Sequence, residues 1–323
     1  MRTNIGRRLL VSITGLLGFS AVAQQQGQFS MYMINQYIAN PAVAGTEDYI
    51  DAKVGFRAQW FGLQDAPKSY YATVHGPVKK NINHKQYDDV KPLPWHSAGF
   101  TVTGEETGVL NKNSIFGTYA YHIPLSSKLN LSLGASAGVQ QYRVKVADLK
   151  YDPQGNIDKA TAANTSVWSP DGNVGIWMYT KKLYFGVSSM QVFNKKIDLA
   201  SNADAASRLN RHFFVTGGYK IKLDSSWALV PSFMFKAVSP TPAQIDLNCK
   251  VRYQDKFWGG ISWRNRDAFV FIIGMTLDEK YDIGYSYDYT TSQIGHFSSG
   301  SHEVVLGYRI PHLRHKPAPA QFW

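Results

Sequence analysis

The sequence predicts an all-β chain, a transmembrane antiparallel β-barrel of about fourteen strands with short periplasmic turns and longer outer loops. Three observations predict it. Hydrophobicity alternates with a period of two, in blocks of about ten residues, from Tyr49 to Ile310. A secretory leader precedes these blocks. Past the leader, no stretch reaches the roughly 20 apolar residues of a membrane helix.

The leader has basic Arg2, Arg7 and Arg8, a short apolar core from Leu9 to Ser20, and the small-residue site Ala21-Val22-Ala23. Residues 1–23 are therefore expected to be a cleaved signal peptide. Residues 24–48 form a periplasmic N-terminal segment, 49–310 the barrel, and 311–323 a flexible tail.

The first strand shows the pattern that the others repeat. Ile50, Ala52, Val54, Phe56, Ala58 and Trp60 form one series, and Asp51, Lys53, Gly55, Arg57 and Gln59 form the other. Side chains alternate faces along a strand, so one face is apolar and the other wet. Further strands are expected at 69–78, 96–104, 114–123, 129–140, 172–180, 183–193 and 212–223. The rest fall at 227–237, 245–253, 257–264, 268–277, 281–289 and 303–310. Ile50, Val54, Val215, Leu247, Val251, Ile283 and Leu306 are expected to face lipid. Lys53, Arg57, Lys220, Lys250, Arg252 and Glu303 are expected to face the lumen. The block 268–277 is apolar on both faces, which suggests an internal segment covering its inner side and leaves twelve strands as an alternative count.

The connections have the asymmetry of an outer-membrane barrel. Tight links at 124–128, 180–182, 224–226, 254–256 and 278–280 alternate with longer ones at 147–171, 194–210 and 290–300. The link 79–95 is a long one on the periplasmic side by the same parity. Trp60, Trp227, Trp258 and Trp263 lie near strand ends, where amphipathic rings favour the headgroup level.

Composition excludes several function classes. Without the three leader arginines, 31 Lys and Arg stand against 23 Asp and Glu, a net +8. These charges sit singly on wet faces or in turns rather than in the patch that nucleic acid requires, so no nucleic-acid partner is expected. Cys249 is the single cysteine and reads as a small lipid-facing residue. Gly134-Ala135-Ser136-Ala137-Gly138 matches G-x-S-x-G, yet it lies mid-strand without the strand-to-helix turn that exposes a nucleophile. His312 and His315 are bracketed by Pro311 and Pro317, and Asp88-Asp89 lacks a convergent partner. No phosphate loop, dinucleotide fingerprint or zinc spacing is present. Neither catalysis nor a metal or cofactor is expected. Lys53 and Arg57 have two readings: charge pairing inside the lumen with Asp51, Asp246, Asp282 or Glu303, or contact with a translocating partner.

One block is more specific than a barrel pattern. Gln28-Phe29-Ser30-x-Tyr32-Met33-x-Asn35-Gln36-Tyr37-x-x-Asn40-Pro41-Ala42-x-Ala44-Gly45 precedes the first strand. Phe56-Arg57-x-Gln59-Trp60 and Pro67-x-Ser69-Tyr70 follow. The chain closes on Ser301-His302-Glu303-Val304-Val305-Leu306-Gly307-Tyr308. Together these resemble the PorP/SprF family of Bacteroidetes outer-membrane proteins, associated with type IX secretion and gliding. The segment Pro311 to Trp323 departs from that pattern, in which chains end near the final strand. Physically, Asn40-Pro41 favours extended or turn backbone, and Ala44-Gly45 permits close approach or positive φ. Such a segment crosses beneath or inside the barrel and fixes its start, or it docks a partner through Asn35, Gln36, Tyr37, Asn40, Pro41 and Gly45.

The resemblance implies a non-enzymatic accessory in the outer membrane. It would help export or anchor adhesin-like proteins carrying family-type C-terminal domains, and would touch periplasmic secretion-ring components. The alternative is a transport barrel for small or hydrophobic solutes.

Overall fold

The computed structural model describes residues 27–79, 93–145, 166–197, 207–239 and 241–311. Within them the alternating blocks become fourteen strands of one antiparallel sheet closed on itself. In chain order these are β1 (Tyr49–Ala58), β2 (Lys68–Lys79), β3 (Trp95–Thr107), β4 (Leu110–Pro124), β5 (Asn130–Val144), β6 (Ser166–Tyr179) and β7 (Leu183–Met190). Then come β8 (His212–Tyr219, resuming at Ile221–Lys222), β9 (Trp227–Val238), β10 (Thr241–Tyr253), β11 (Phe257–Arg264), β12 (Ala268–Leu277), β13 (Tyr281–Thr290) and β14 (Ser301–Pro311). Each strand pairs with its sequence neighbours. β1 also pairs with β14, with Tyr49 opposite Pro311 and Ala58 opposite His302, so no edge remains. A two-residue ladder, Lys196–Ile197 with Ser207–Arg208, sits in the link from β7 to β8. No described helix is long and apolar enough to cross a membrane.

The outer surface is an apolar belt. Val54, Leu247, Ile261, Phe271, Ile283 and Leu306 are all exposed on it, while Val215 and Val251 are half-buried among their neighbours. Ile261 stands opposite Cys249 and Phe271, well inside the strand ends. Ile261→Arg should therefore cost about 2–4 kcal/mol, as a cation near mid-bilayer does. Equilibrium unfolding of the barrel in liposomes checks this; a loss under about 1 kcal/mol would place Ile261 at an interface.

Two hairpins run further than the alternation shows. β3 and β4 meet at Gly108-Val109, and Val238 of β9 stands opposite Thr241 of β10, so these links are short on the side expected to carry long loops. The extra residues, such as Glu105, Glu106, Asn111 and Lys112, are polar on both faces. A hairpin that leaves the bilayer meets water on both sides, which erases the period-two signal. Gly108 takes the positive φ, +55°, that the two-residue turn requires. β6 begins at Ser166 rather than 172, with Pro170 opposite Val139 in the ladder.

Trp258 departs from its expected place. It is buried and faces inward, packed in the luminal cluster that contains Met31, Val270 and Ile272. The inner face of β12 is thus covered by protein, which accounts for its two apolar faces. Residues 1–26, the Asp88-Asp89 pair and the His312–His315 tail lie outside the described residues.

Candidate functional site

The core of the molecule is the N-terminal block, which runs inside the barrel. Ser30, Met31, Ala42, Val43 and Ala44 are almost fully buried there. The chain passes from the charged end of β1 and β14, around Arg57 and Glu303, to the opposite end near Tyr49, and then turns into β1. Two short 3-10 turns, Gln36–Ile38 and Pro41–Val43, shape it. Pro41 occupies the first position of the second turn, where its missing N–H costs nothing. Asn40, extended at φ −146°, caps that turn by accepting the Ala42 N–H at 2.9 Å. Gly45 has φ +71°.

A buried charge cluster holds the upper end of the segment. Glu303 accepts the Ser30 N–H at 2.6 Å and the Met31 N–H at 3.3 Å. Ser30 Oγ donates to Asp288 at 2.6 Å and accepts from Arg57 at 2.8 Å and from Arg264 at 3.1 Å. Arg57 pairs with Asp288 at 2.8 Å and Glu303 at 3.4 Å. Arg264 pairs with Asp246, Asp267 and Asp288, each at 3.2 Å. Charges buried this deeply persist only when paired and hydrogen-bonded, and here each is.

The middle is held by amides and phenols. Asn35 Nδ2 donates to Thr73 at 3.0 Å, Gln36 Nε2 to the Tyr184 hydroxyl at 3.0 Å, and the Tyr37 hydroxyl to Thr118 at 2.7 Å. Asn40 Nδ2 donates to the Ile176 carbonyl at 3.1 Å. The Tyr32 hydroxyl accepts from Asn248 Nδ2 at 2.5 Å. At the lower end Trp95 Nε1 donates to the Gly45 carbonyl at 3.1 Å. His122 Nε2 meets the Ala44 carbonyl at 2.8 Å, and its ring stacks on Trp95 at 4.6 Å. The Gly45 N–H donates to His75 Nδ1 at 3.3 Å.

The remaining charges lie toward the lower end. Lys53 pairs with Asp51, and Arg309 with Asp282 at 2.7 Å. Arg252 and Lys220 both reach Asp255, at 3.0 and 3.7 Å. Lys250 is buried on the same face of β10 as Arg252. Gln59 and Trp60 leave the wall: Gln59 N–H donates to the Pro67 carbonyl at 2.9 Å, and Trp60 N–H to Ser301 Oγ at 3.0 Å. Trp60 has a positive φ of 51°, so it belongs to the outer link rather than to β1.

Sequence reasoning missed Ser30, Trp95, His122, Arg264 and Asp288 as parts of this arrangement. The signal was present as ionisable or aromatic residues on the inward series of β3, β4, β11 and β13. It also missed why Gly134 begins the G-x-S-x-G match. A Cβ at Gly134 would sit 2.5 Å from Ala42 Cα and from the Pro41 carbonyl carbon. The glycine therefore admits close backbone approach. Ser136 is a buried mid-strand residue that accepts from the Asn173 amide at 3.3 Å. Among the described residues no group of three His, Cys, Asp or Glu side chains is placed to hold a metal.

Beside the segment, a cavity open to solvent separates it from the wall formed by β3 to β10. Thr101, Thr103, Ser114, Thr118, Gln140 and Asn173 give one side; Phe29, Ile38, Phe214 and Met234 give the other.

Solved structures similar to this chain are barrels. The P. putida toluene transporter TodX is 12% identical with a TM-score of 0.49, over 86% of this chain and 94% of that one. A Pseudomonas aeruginosa FadL homologue is 10% identical with a TM-score of 0.49, over 87% and 93%. The Acinetobacter baumannii outer membrane protein Omp33 is 8% identical with a TM-score of 0.45, over 82% and 100%. No curated protein matches the chain. The family model described as type IX secretion system membrane protein PorP/SprF matches residues 21–308. That span takes in the luminal segment and all but the last residues of β14, and the chain is a member of the PorP/SprF family, an outer-membrane β-barrel of the type IX secretion system.

Proposed function

We propose that this protein is a non-enzymatic accessory of type IX secretion that helps export or surface-anchor particular adhesin-like proteins, with a role in gliding motility. Membership of the family implies association with the secretion machinery. The observation that carries the finer reading is the luminal segment, tied at its upper end to Glu303, Asp288, Arg57 and Arg264 and at its lower end to Trp95 and His122. A barrel filled in this way serves as a rigid surface-exposed scaffold. Specificity then rests where the chain leaves the wall, because connecting segments are free to vary on a fixed frame. The outer links at 145–165 and 191–211 would meet the secreted protein. Residues 80–94, on the opposite end, would meet periplasmic ring components.

The test compares the secretome of a deletion strain with that of strains complemented by the full chain or by a chain lacking 150–163. The deletion strain should lose export or retention of one class of secreted protein. The shortened chain should assemble as a heat-modifiable barrel without restoring it. An unchanged secretome in the deletion strain, together with reduced solute uptake, would replace this reading with transport of small or hydrophobic solutes.

A further inference from the structure

We infer that the mature amino-terminus is displayed at the outer mouth of the barrel, on the cell surface, and that the chain enters the lumen from that side. Gly27, the first described residue, fixes the entry point. It is half-buried, and its N–H donates to the Glu105 carboxylate. A Cβ built on Gly27 would lie 3.4 Å from both Glu105 Oε2 and Ser69 Oγ. Ser69 and Glu105 stand opposite each other in the ladder of β2 with β3, close to the start of β2 and to the Gly108 turn.

That end of the barrel carries the links 59–67, 145–165, 191–211 and 291–300. The other end carries the turns 125–129, 180–182, 254–256 and 278–280, together with Tyr49 and Pro311. Short turns are periplasmic and long links face outward. From Gly27 the segment passes Ser30, bound to Arg57, and Ala44, bound to His122, before it reaches Tyr49. It therefore runs from the outer mouth down to the periplasmic end.

Length decides where the amino-terminus lies. Cleavage after Ala23 leaves Gln24, Gln25 and Gln26 ahead of Gly27. Fully extended, three residues reach about 10 Å, and the hydrocarbon core alone is about 30 Å thick. The new amino-terminus is too short to return to the periplasm. With the leader uncut, 26 residues precede Gly27 and would reach about 90 Å, enough to return, so the inference rests on removal of the leader. The leader delivers the chain to the periplasm, so the amino-terminus reaches the outer mouth as the barrel closes around it. An α-ammonium and three carboxamides then join the outer links, the surface that the accessory reading assigns to the secreted protein. The topology itself does not depend on that reading.

Thiol labelling tests this in the full chain, in a Cys249→Ser background, with a bulky poly(ethylene glycol) maleimide that does not cross the outer membrane. Gln25→Cys should react in intact cells as fully as in permeabilised ones. Lys128→Cys, at the exposed turn between β4 and β5, should react only after permeabilisation. Both should migrate as heat-modifiable barrels, and mass spectrometry of the parent should find Gln24 as the first residue. Gln25→Cys that stays unlabelled in intact cells, in a cleaved and assembled barrel, would overturn the inference. So would Lys128→Cys that labels in intact cells, or a leader retained on the assembled chain. None of these outcomes alters the secretome comparison, which tests the accessory reading separately.

Discussion

Truncating Arg264 to alanine is expected to destabilise the barrel by about 3–5 kcal/mol. Arg264 is 1% exposed and reaches Asp246, Asp267, Asp288 and Ser30. Its removal strands Asp246 and Asp288 in the lumen with one guanidinium fewer between them. An unpaired buried charge costs far more than a surface pair contributes. Arg264→Lys should recover only part of the loss, because a single ammonium cannot reproduce the planar fork that meets several oxygens. Urea unfolding in detergent measures both. Lys256→Ala, at an exposed turn, should stay within about 0.5 kcal/mol of the parent. Equal stability of Arg264→Ala and parent would mean that water already solvates this cluster.

Gly134→Val is expected to displace the luminal segment while leaving the strand ladder closed. The new side chain would occupy the position of the Pro41–Ala42 backbone, which cannot rotate aside as a side chain end would. Overpacking of this kind costs about 1–3 kcal/mol. It also loosens Asn40 and Ala42 from their contacts with β5 and β6. Planar-bilayer recordings should show conductance in the variant well above that of the parent, and protease should cut within residues 27–48. Ser136→Ala, two residues along the same strand, should change neither. If secretion were lost in Ser136→Ala with normal barrel levels, the G-x-S-x-G match would regain a chemical reading.

Every strand of the barrel was legible in the sequence because lipid outside and packed polar groups inside impose a period of two. The ends of β3, β4, β9 and β10 were not, since polar residues such as Glu106 and Asn111 stand on the outward face there in place of apolar ones. Trp258 was misread for a related reason. Its place near a strand end fits a headgroup ring, and only its parity with Gly260 and Ser262 reveals that it points inward. The N-terminal block stood out as a motif, yet its path did not. Ser30 and Glu303 lie at opposite ends of the chain, and nothing local to either announces the bond between them. The one foreshadowing was β12, whose inner Val270 and Ile272 require an apolar cover that a water-filled lumen would not supply.

The central claim is that the family's N-terminal block is an internal component of the barrel rather than a free periplasmic arm. A cysteine pair tests it most directly. Asn35 and Thr73 touch across the lumen, with Asn35 Nδ2 and Thr73 Oγ1 at 3.0 Å. In a Cys249→Ser background, Asn35→Cys with Thr73→Cys should form a disulfide under mild oxidation in whole cells, and the folded barrel should shield both thiols from a bulky maleimide. Two thiols that stay reduced and label freely in the folded, heat-modifiable barrel would contradict the account.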